Sequence, residues 1–127
     1  MGNPVVHFEL IGPDPGRLRE FYGELFGWNA PAGAPVADRV SAPDAYSFIE
    51  ADEQASPAAG GIGGGEGFTN HAIFYVGVAD VASTLAEVVK LGGTVALPPQ
   101  RNESGNVAVA HFLDPAGNLV GIAGPLA

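Results

Sequence analysis

The chain has no cysteine, few basic residues and no long apolar run. The lack of cysteine excludes disulfides, thiolate nucleophiles and cysteine metal ligands, and nothing requires an oxidising compartment. Five basic residues against fourteen acidic ones give a formal charge of −9, which repels nucleic-acid phosphates and anionic lipid headgroups. No apolar stretch reaches the roughly 18 residues that span a bilayer, and residues 1–4 do not resemble the charged start of a signal peptide. We therefore expect a cytoplasmic protein that binds neither nucleic acid nor membranes.

The apolar fraction is large enough for one folded core. Hydrophobic residues make up 46% of 127 residues, a length typical of one compact domain. Residues 5–11 are β-prone and lie between a proline and a glycine, which predicts a strand. Asp14 then caps a predicted helix that has Pro15 in its first turn and ends at Gly27. Its apolar stripe consists of Leu18, Phe21, Tyr22, Leu25 and Phe26.

The rest of the first half is less regular. Residues 28–43 are interrupted by prolines and a glycine, so they predict at most one short, irregular edge strand. Residues 45–51 predict a strand and residues 52–57 a polar turn. Residues 58–67 are so rich in glycine that a strand there must lie close to another backbone or remain flexible.

The same order of elements then begins again. A second predicted strand starts with His71, 64 residues after His7, and a second helix is capped by Asp80, 66 residues after Asp14. Such a repeat indicates two copies of one structural unit. Three further strands are predicted at residues 94–97, 107–113 and 119–123.

Each half therefore predicts a βαβββ unit with one sheet face covered by a helix and the other uncovered. We expect an α+β fold in which two tandem modules, residues 1–66 and 67–127, form a single domain with a concave mixed sheet. Side chains alternate along a strand, so the two faces are predicted from the first strand of each module. The helix-covered face carries Phe8, Leu10, Ala72, Phe74 and Val76. The concave face carries His7, Glu9, His71, Ile73 and Tyr75.

Four segments support a family resemblance. They are VVHFEL at residues 5–10, GRLREFYGELFGW at 16–28, HAIFYVGVADVASTLAEVVKLGGTV at 71–95 and FLDPAGNLVGI at 112–122. In this order they resemble the vicinal-oxygen-chelate (VOC) superfamily, which includes glyoxalase I, extradiol dioxygenases, fosfomycin-resistance enzymes and bleomycin-binding proteins. The resemblance implies a glyoxalase-like VOC domain, but one fold hosts many chemistries.

The resemblance also implies where metal ligands would lie. Metal-using members take two His or His-like residues and one or two Glu from the first and last strands of each module. His7 and His71 match the first-strand positions. The glutamate that follows the DPxGN turn in such members is Gly121 here, and residues 59–64 offer no side-chain ligand in the first module. Two imidazoles make a weak site for Zn, Ni, Mn or Fe, because a catalytic ion usually has three protein ligands.

Several roles remain open for the polar candidates. The two histidines could form a metal pair, contact a ligand in a metal-free pocket, or serve a structural role. Glu9 could orient an imidazole, act as a third ligand or catalytic base, or be a solvated carboxylate at the rim. His111 could join the other histidines or lie at a surface or interface. The expected pocket is lined by His7, Glu9, His71, Ile73, Tyr75, Val109, His111 and Gly121.

We expect a small-molecule-binding protein of this superfamily with a degenerate metal site. One alternative is a metal-dependent lyase, isomerase or dioxygenase in which the ion polarises vicinal oxygens and Glu9 moves a proton. Another is metal-free drug sequestration of the bleomycin-resistance type, in which the charge of −9 would attract a cation. Glyoxalase I activity itself is disfavoured, because Gly121 removes a ligand and a proton-transfer group. A homodimer is expected, because exposed sheet edges and surfaces in this superfamily are commonly covered by a second copy.

Overall fold

A computed structural model describes residues 2–34, 36–50, 59–102 and 105–126. Two strand–helix–three-strand repeats follow one another along the chain, which confirms the predicted α+β fold of tandem βαβββ modules. The contacts divide the chain into two compact units. We call His7–Ala72 the N-terminal unit, and Met1–Val6 with Ile73–Ala127 the C-terminal unit.

The first repeat has the short edge strand that the prolines predicted. Its elements are β1 (Val5–Gly12), α1 (Pro15–Phe26), β2 (Ala32–Ala34), β3 (Tyr46–Ile49) and β4 (Ala59–Gly64). The strands are ordered β2-β3-β4-β1, with β1 and β4 parallel and the other pairs antiparallel, so the sheet is mixed. The turn predicted at residues 52–57 lies outside the described residues.

The second repeat has the same topology. Its elements are β5 (His71–Gly77), α2 (Val81–Lys90), β6 (Thr94–Arg101), β7 (Ala108–Leu113) and β8 (Leu119–Gly124). The strands are ordered β5-β8-β7-β6, with β5 and β8 parallel and the other pairs antiparallel. Strand β6 is longer than predicted, because it continues through Pro98 and Pro99. Prolines lack a backbone donor and are tolerated in a strand that pairs on one side.

Helix α1 has the predicted ends but not a buried stripe. The Asp14 side chain accepts a hydrogen bond from the Arg17 backbone N–H at 3.1 Å, and Gly27 ends the helix with φ of 71°. None of its twelve residues, all within the described part of the chain, is buried. Leu18 and Tyr22 are half-buried, whereas three other stripe residues are more than half exposed. These three are Phe21, Leu25 and Phe26.

Helix α2 packs against its sheet through two buried residues, Val81 and Leu85. Val81 and Leu85 pack with three residues of β7 and β8, and Val76 of β5 packs against this cluster. Phe74 of the same strand was also expected on the helix-covered face. Its side chain is 44% exposed, so the helix leaves this position of the strand largely uncovered. Within the described ranges, no helix is both long enough and apolar enough to cross a bilayer.

Candidate functional site

Three polar side chains of the N-terminal unit form a hydrogen-bonded chain. The Tyr46 hydroxyl donates to Glu9 Oε2 at 2.8 Å and lies 2.9 Å from His7 Nε2. A hydroxyl has one proton, so when it donates to the carboxylate it accepts from the imidazole. His7 is then in the tautomer that carries its proton on Nε2. We call this arrangement the His7–Tyr46–Glu9 chain.

The His7–Tyr46–Glu9 chain is buried more deeply at Tyr46 and Glu9 than at His7. Glu9 is 3% exposed and Tyr46 is 1% exposed, whereas His7 is half-buried. Burial lowers the pKa of His7 below its usual value, because the imidazolium loses hydration, so the ring is neutral at pH 7. Tyr46 links the buried Glu9 carboxylate to the more exposed His7 ring. The pocket and catalytic-base roles of Glu9 stay predictions.

Glycines of β4 create the space for the Tyr46 ring. Glu9 pairs with Gly61 across β1 and β4, and a Cβ atom at Gly61 would overlap the Tyr46 hydroxyl. A Cβ at Gly63 would lie 2.5 Å from Tyr46 Cδ2. The sequence predicted that these glycines approach a backbone or remain flexible. Close backbone approach occurs at Gly64, against Gly12, while the other positions lie beneath side chains.

The C-terminal unit contains a second tyrosine–glycine–histidine contact. Tyr75 and His111 both pair with Gly121, from β5 and β7. The Tyr75 hydroxyl lies 2.8 Å from His111 Nε2, and both side chains are buried. A Cβ at Gly121 would lie 2.5 Å from Tyr75 Cδ1. Three expected pocket residues therefore meet, and an aromatic ring fills the space above the glycine.

The remaining expected pocket residues lie on the predicted strands. Ile73 is buried on β5, and Val109 is half-buried on β7. His71 is half-buried at the start of β5, with Nδ1 3.1 Å from the Thr69 carbonyl oxygen. The convergence of all three histidines on one pocket stays a prediction.

Two aromatic residues were not among the expected pocket residues. Tyr46 joins the buried chain, and Phe48, two positions along β3, lies on the same face. The Phe48 ring is 46% exposed, with its centroid 6.0 Å from that of His7. The signal available in the sequence was a strand with alternating aromatics close to a strand of glycines, because packed interiors leave few voids.

The residues present do not fit the metal centre that the family resemblance implies. In the part of the chain that the structure describes, no three His, Asp or Glu side chains are grouped so that they could hold an ion. His7 Nε2 and a Glu9 oxygen are both bonded to the Tyr46 hydroxyl. The position matching the family glutamate is Gly121, beneath the Tyr75 ring. The described residues therefore offer no complete set of ligands for a metal ion.

Comparison with protein families assigns this fold. The family model described as Glyoxalase/Bleomycin resistance protein/Dioxygenase superfamily matches residues 5–122. The chain belongs to this superfamily. No curated protein matches the sequence significantly.

Solved structures of the superfamily fold are similar to the chain at low identity. Streptomyces coelicolor methylmalonyl-CoA epimerase, in complex with 2-nitronate-propionyl-CoA, is 16% identical with a TM-score of 0.64, over 98% of this chain and 99% of that one. A hypothetical protein from Bacillus halodurans is 13% identical with a TM-score of 0.65, over 97% and 94%. The Mn(II)-bound glyoxalase from Novosphingobium aromaticivorans is 15% identical with a TM-score of 0.59, over 97% of this chain and 38% of that one. At these identities the likeness shows the fold alone.

Proposed function

We propose that this superfamily member binds a small, partly apolar organic molecule without a metal ion, beside His7 and Phe48. The observation that carries the proposal is the His7–Tyr46–Glu9 chain. It fixes the orientation and tautomer of an imidazole that is half-buried and neutral. Next to this polar group, the exposed Phe48 ring offers an apolar surface. A few oriented polar groups among apolar side chains are typical of small-molecule sites.

The His7–Tyr46–Glu9 chain also argues against a metal ion bound to His7. A metal at His7 Nε2 would have to displace the Tyr46 hydroxyl, which also bonds the buried Glu9 carboxylate. Loss of that bond would leave the carboxylate without one of its donors in a desolvated place, which is costly. In this proposal, His7 and His71 therefore contact the bound organic molecule and do not coordinate a metal ion. The metal-dependent lyase, isomerase or dioxygenase is the less favoured alternative.

Calorimetry with divalent ions tests the metal-free part of the proposal. We expect chelator-stripped protein to bind none of Zn²⁺, Ni²⁺, Mn²⁺ or Fe²⁺ in the micromolar range, because His7 and His71 lack the third ligand that a tight site needs. The variants His7→Ala, His71→Ala and His111→Ala serve as controls. Tight binding of one ion per chain that disappears in His7→Ala and His71→Ala would overturn the proposal and favour the metal-dependent enzyme.

Nuclear magnetic resonance with aromatic fragments tests the binding face. The probes are phenols, benzamides and similar single-ring compounds with one hydrogen-bonding group, together with bleomycin and methylmalonyl-CoA. We expect a subset of the single-ring probes to shift the ring signals of both His7 and Phe48. The variant Phe48→Ala should weaken their binding about ten-fold, the effect of losing one well-packed aromatic contact.

Phe74→Ala is the matched control for this experiment. Phe74 is 44% exposed and Phe48 is 46% exposed, so both substitutions remove a similar apolar surface. Binding should survive Phe74→Ala. The proposal fails if no probe shifts the His7 and Phe48 signals at millimolar concentration, or if the two phenylalanine variants weaken binding equally. If bleomycin binds far more tightly than the single rings, drug sequestration is the function.

A further inference from the structure

Helix α1 presents an exposed face with apolar residues at its centre and charges around them. We call it the outer face of α1, and it consists of Arg17, Glu20, Phe21, Glu24 and Leu25. These residues line a surface groove of about 370 Å³. Phe21 is 53% exposed and Leu25 is 58% exposed. Neighbouring exposed apolar side chains of this size are typical of interaction sites rather than of ordinary surface.

The adjacent part of the same apolar stripe is held against the rest of the N-terminal unit. Leu18 packs toward Gly12, where a Cβ would lie 3.1 Å from Leu18 Cδ1. The Tyr22 ring stacks on Trp28 with centroids 5.6 Å apart. Phe21 and Leu25 belong to the same apolar stripe as Leu18 and Tyr22, but they are more than half exposed. The N-terminal unit therefore covers only part of the stripe and leaves the part at Phe21 and Leu25 open.

The corresponding helix of the second repeat has no such face. Val81 and Leu85 of α2 are buried in the core of the C-terminal unit. The large apolar residues exposed in that helix region are Val89 and Leu91, which lie at its C-terminal end. They are aliphatic, and no aromatic residue lies among them. The aromatic outer surface is therefore a property of α1 and not of the repeat.

Two of the three charges on the outer face of α1 are placed to match a second copy of the same face, whereas Glu20 lies next to the midpoint on the same side as the partner's Glu20. Arg17 and Glu24 have opposite signs and lie symmetrically about the midpoint between Glu20 and Phe21. If two α1 helices pack antiparallel around a two-fold axis at that midpoint, each Arg17 lies opposite the partner's Glu24, with the two Phe21 rings at the centre. Such self-complementarity is what a two-fold interface requires. Within one chain, Arg17 lies 3.9 Å from Glu20, but both side chains are about three-quarters exposed, so this pair is weak.

We propose that the outer face of α1 is the interface of a homodimer, formed by antiparallel packing of α1 against α1. The overall charge of −9 repels the two copies at long range, but physiological salt screens this repulsion beyond about 8 Å. At contact, burial of the Phe21 and Leu25 side chains supplies the attraction. The proposal assigns the expected homodimer a defined surface. It does not depend on the small-molecule site proposed beside His7 and Phe48.

Sedimentation velocity tests the interface. We expect the wild-type chain to sediment as a dimer at micromolar concentration, and Phe21→Asp and Leu25→Asp to sediment as monomers, because each places a carboxylate in the apolar centre. Val89→Asp is the matched control, because Val89 is 57% exposed on α2 and should leave the dimer intact. Circular dichroism checks that each variant is folded.

Charge reversal tests the pairing without changing the apolar centre. Arg17→Glu and Glu24→Arg should each weaken dimerisation roughly ten-fold, because each substitution turns two symmetric ion pairs into like-charge contacts. The double variant Arg17→Glu/Glu24→Arg restores the opposite charges and should restore the dimer. A monomeric wild-type chain overturns the proposal, as does a dimer that tolerates folded Phe21→Asp. Failure of the double variant to recover would rule out the antiparallel pairing even if the Phe21 variant does not fold.

Discussion

Replacing Gly61 by alanine is expected to lower the free energy of unfolding by about 3–4 kcal/mol. The added Cβ would overlap the Tyr46 hydroxyl, and that ring is 1% exposed, so it has no open space into which to move. Displacement of the ring would strain the packing and break its hydrogen bonds to His7 and Glu9. Urea unfolding followed by circular dichroism measures the loss.

Gly16→Ala is the control for the loss of a glycine as such. A Cβ at Gly16 would have its nearest neighbours at 3.6 Å, an ordinary contact, and the residue lies within α1. Alanine there should be neutral or stabilise the protein by up to about 1 kcal/mol, because it favours the helix. The variant Tyr46→Ala/Gly61→Ala should cost clearly less than the sum of its single substitutions. Additive costs would show that the ring and the glycine do not share the space that the structure gives them.

Tyr46→Phe is expected to cost more stability than Tyr75→Phe. Both substitutions remove one buried hydroxyl that is hydrogen-bonded to a histidine. The Tyr46 hydroxyl also donates to the Glu9 carboxylate, and a hydrogen bond to a charged group is worth roughly twice a neutral one. We therefore expect a loss of about 2–3 kcal/mol for Tyr46→Phe and about 1 kcal/mol for Tyr75→Phe, again by urea unfolding.

A second substitution separates charge from shape in this comparison. In the Tyr46→Phe background, Glu9→Gln replaces the buried carboxylate by an uncharged amide of the same shape. If the cost of Tyr46→Phe arises from a desolvated charge, Glu9→Gln should recover part of it. Equal losses in the two tyrosine variants, with no recovery, would show that the carboxylate does not depend on Tyr46.

Local sequence signals were sufficient for the elements of this fold. Asp14, Gly27 and the repeat of His7 at His71 marked the helices and the tandem modules, because caps and turns act over a few residues. The partial cover of α1 was not predictable, because periodicity shows that a stripe exists but not how much of it a neighbour covers. The length of β6 was underestimated, because prolines usually end strands. Strand β6 continues through its prolines because it lies at the end of the strand order and pairs on one side only.

The sequence predicted some residues of the candidate site but not the contacts between them. The lack of a glutamate at Gly121 could be read directly, but the ring that fills its space could not. That contact depends on the register between β5 and β8, which are separated by more than 40 residues in the chain and pair Tyr75 with Gly121. The same holds for Tyr46, whose partners come from β1 and β4. Alternation named the histidines and Tyr75, whereas Tyr46 and the contacts of both tyrosines with His7 and His111 required the fold.

The ring of Tyr75 above Gly121 also restricts how this chain could change. A glutamate at position 121 cannot be accommodated while the ring is in place, since even its Cβ would lie 2.5 Å from the ring. Removing the ring first would open a cavity in the C-terminal unit, at a cost of about 3–5 kcal/mol. Either first step passes through a poorly stable protein, although the two together could be tolerated. Position 121 is thus closed to a metal-binding glutamate by single substitution, and such a ligand would need paired changes or a protein with stability to spare.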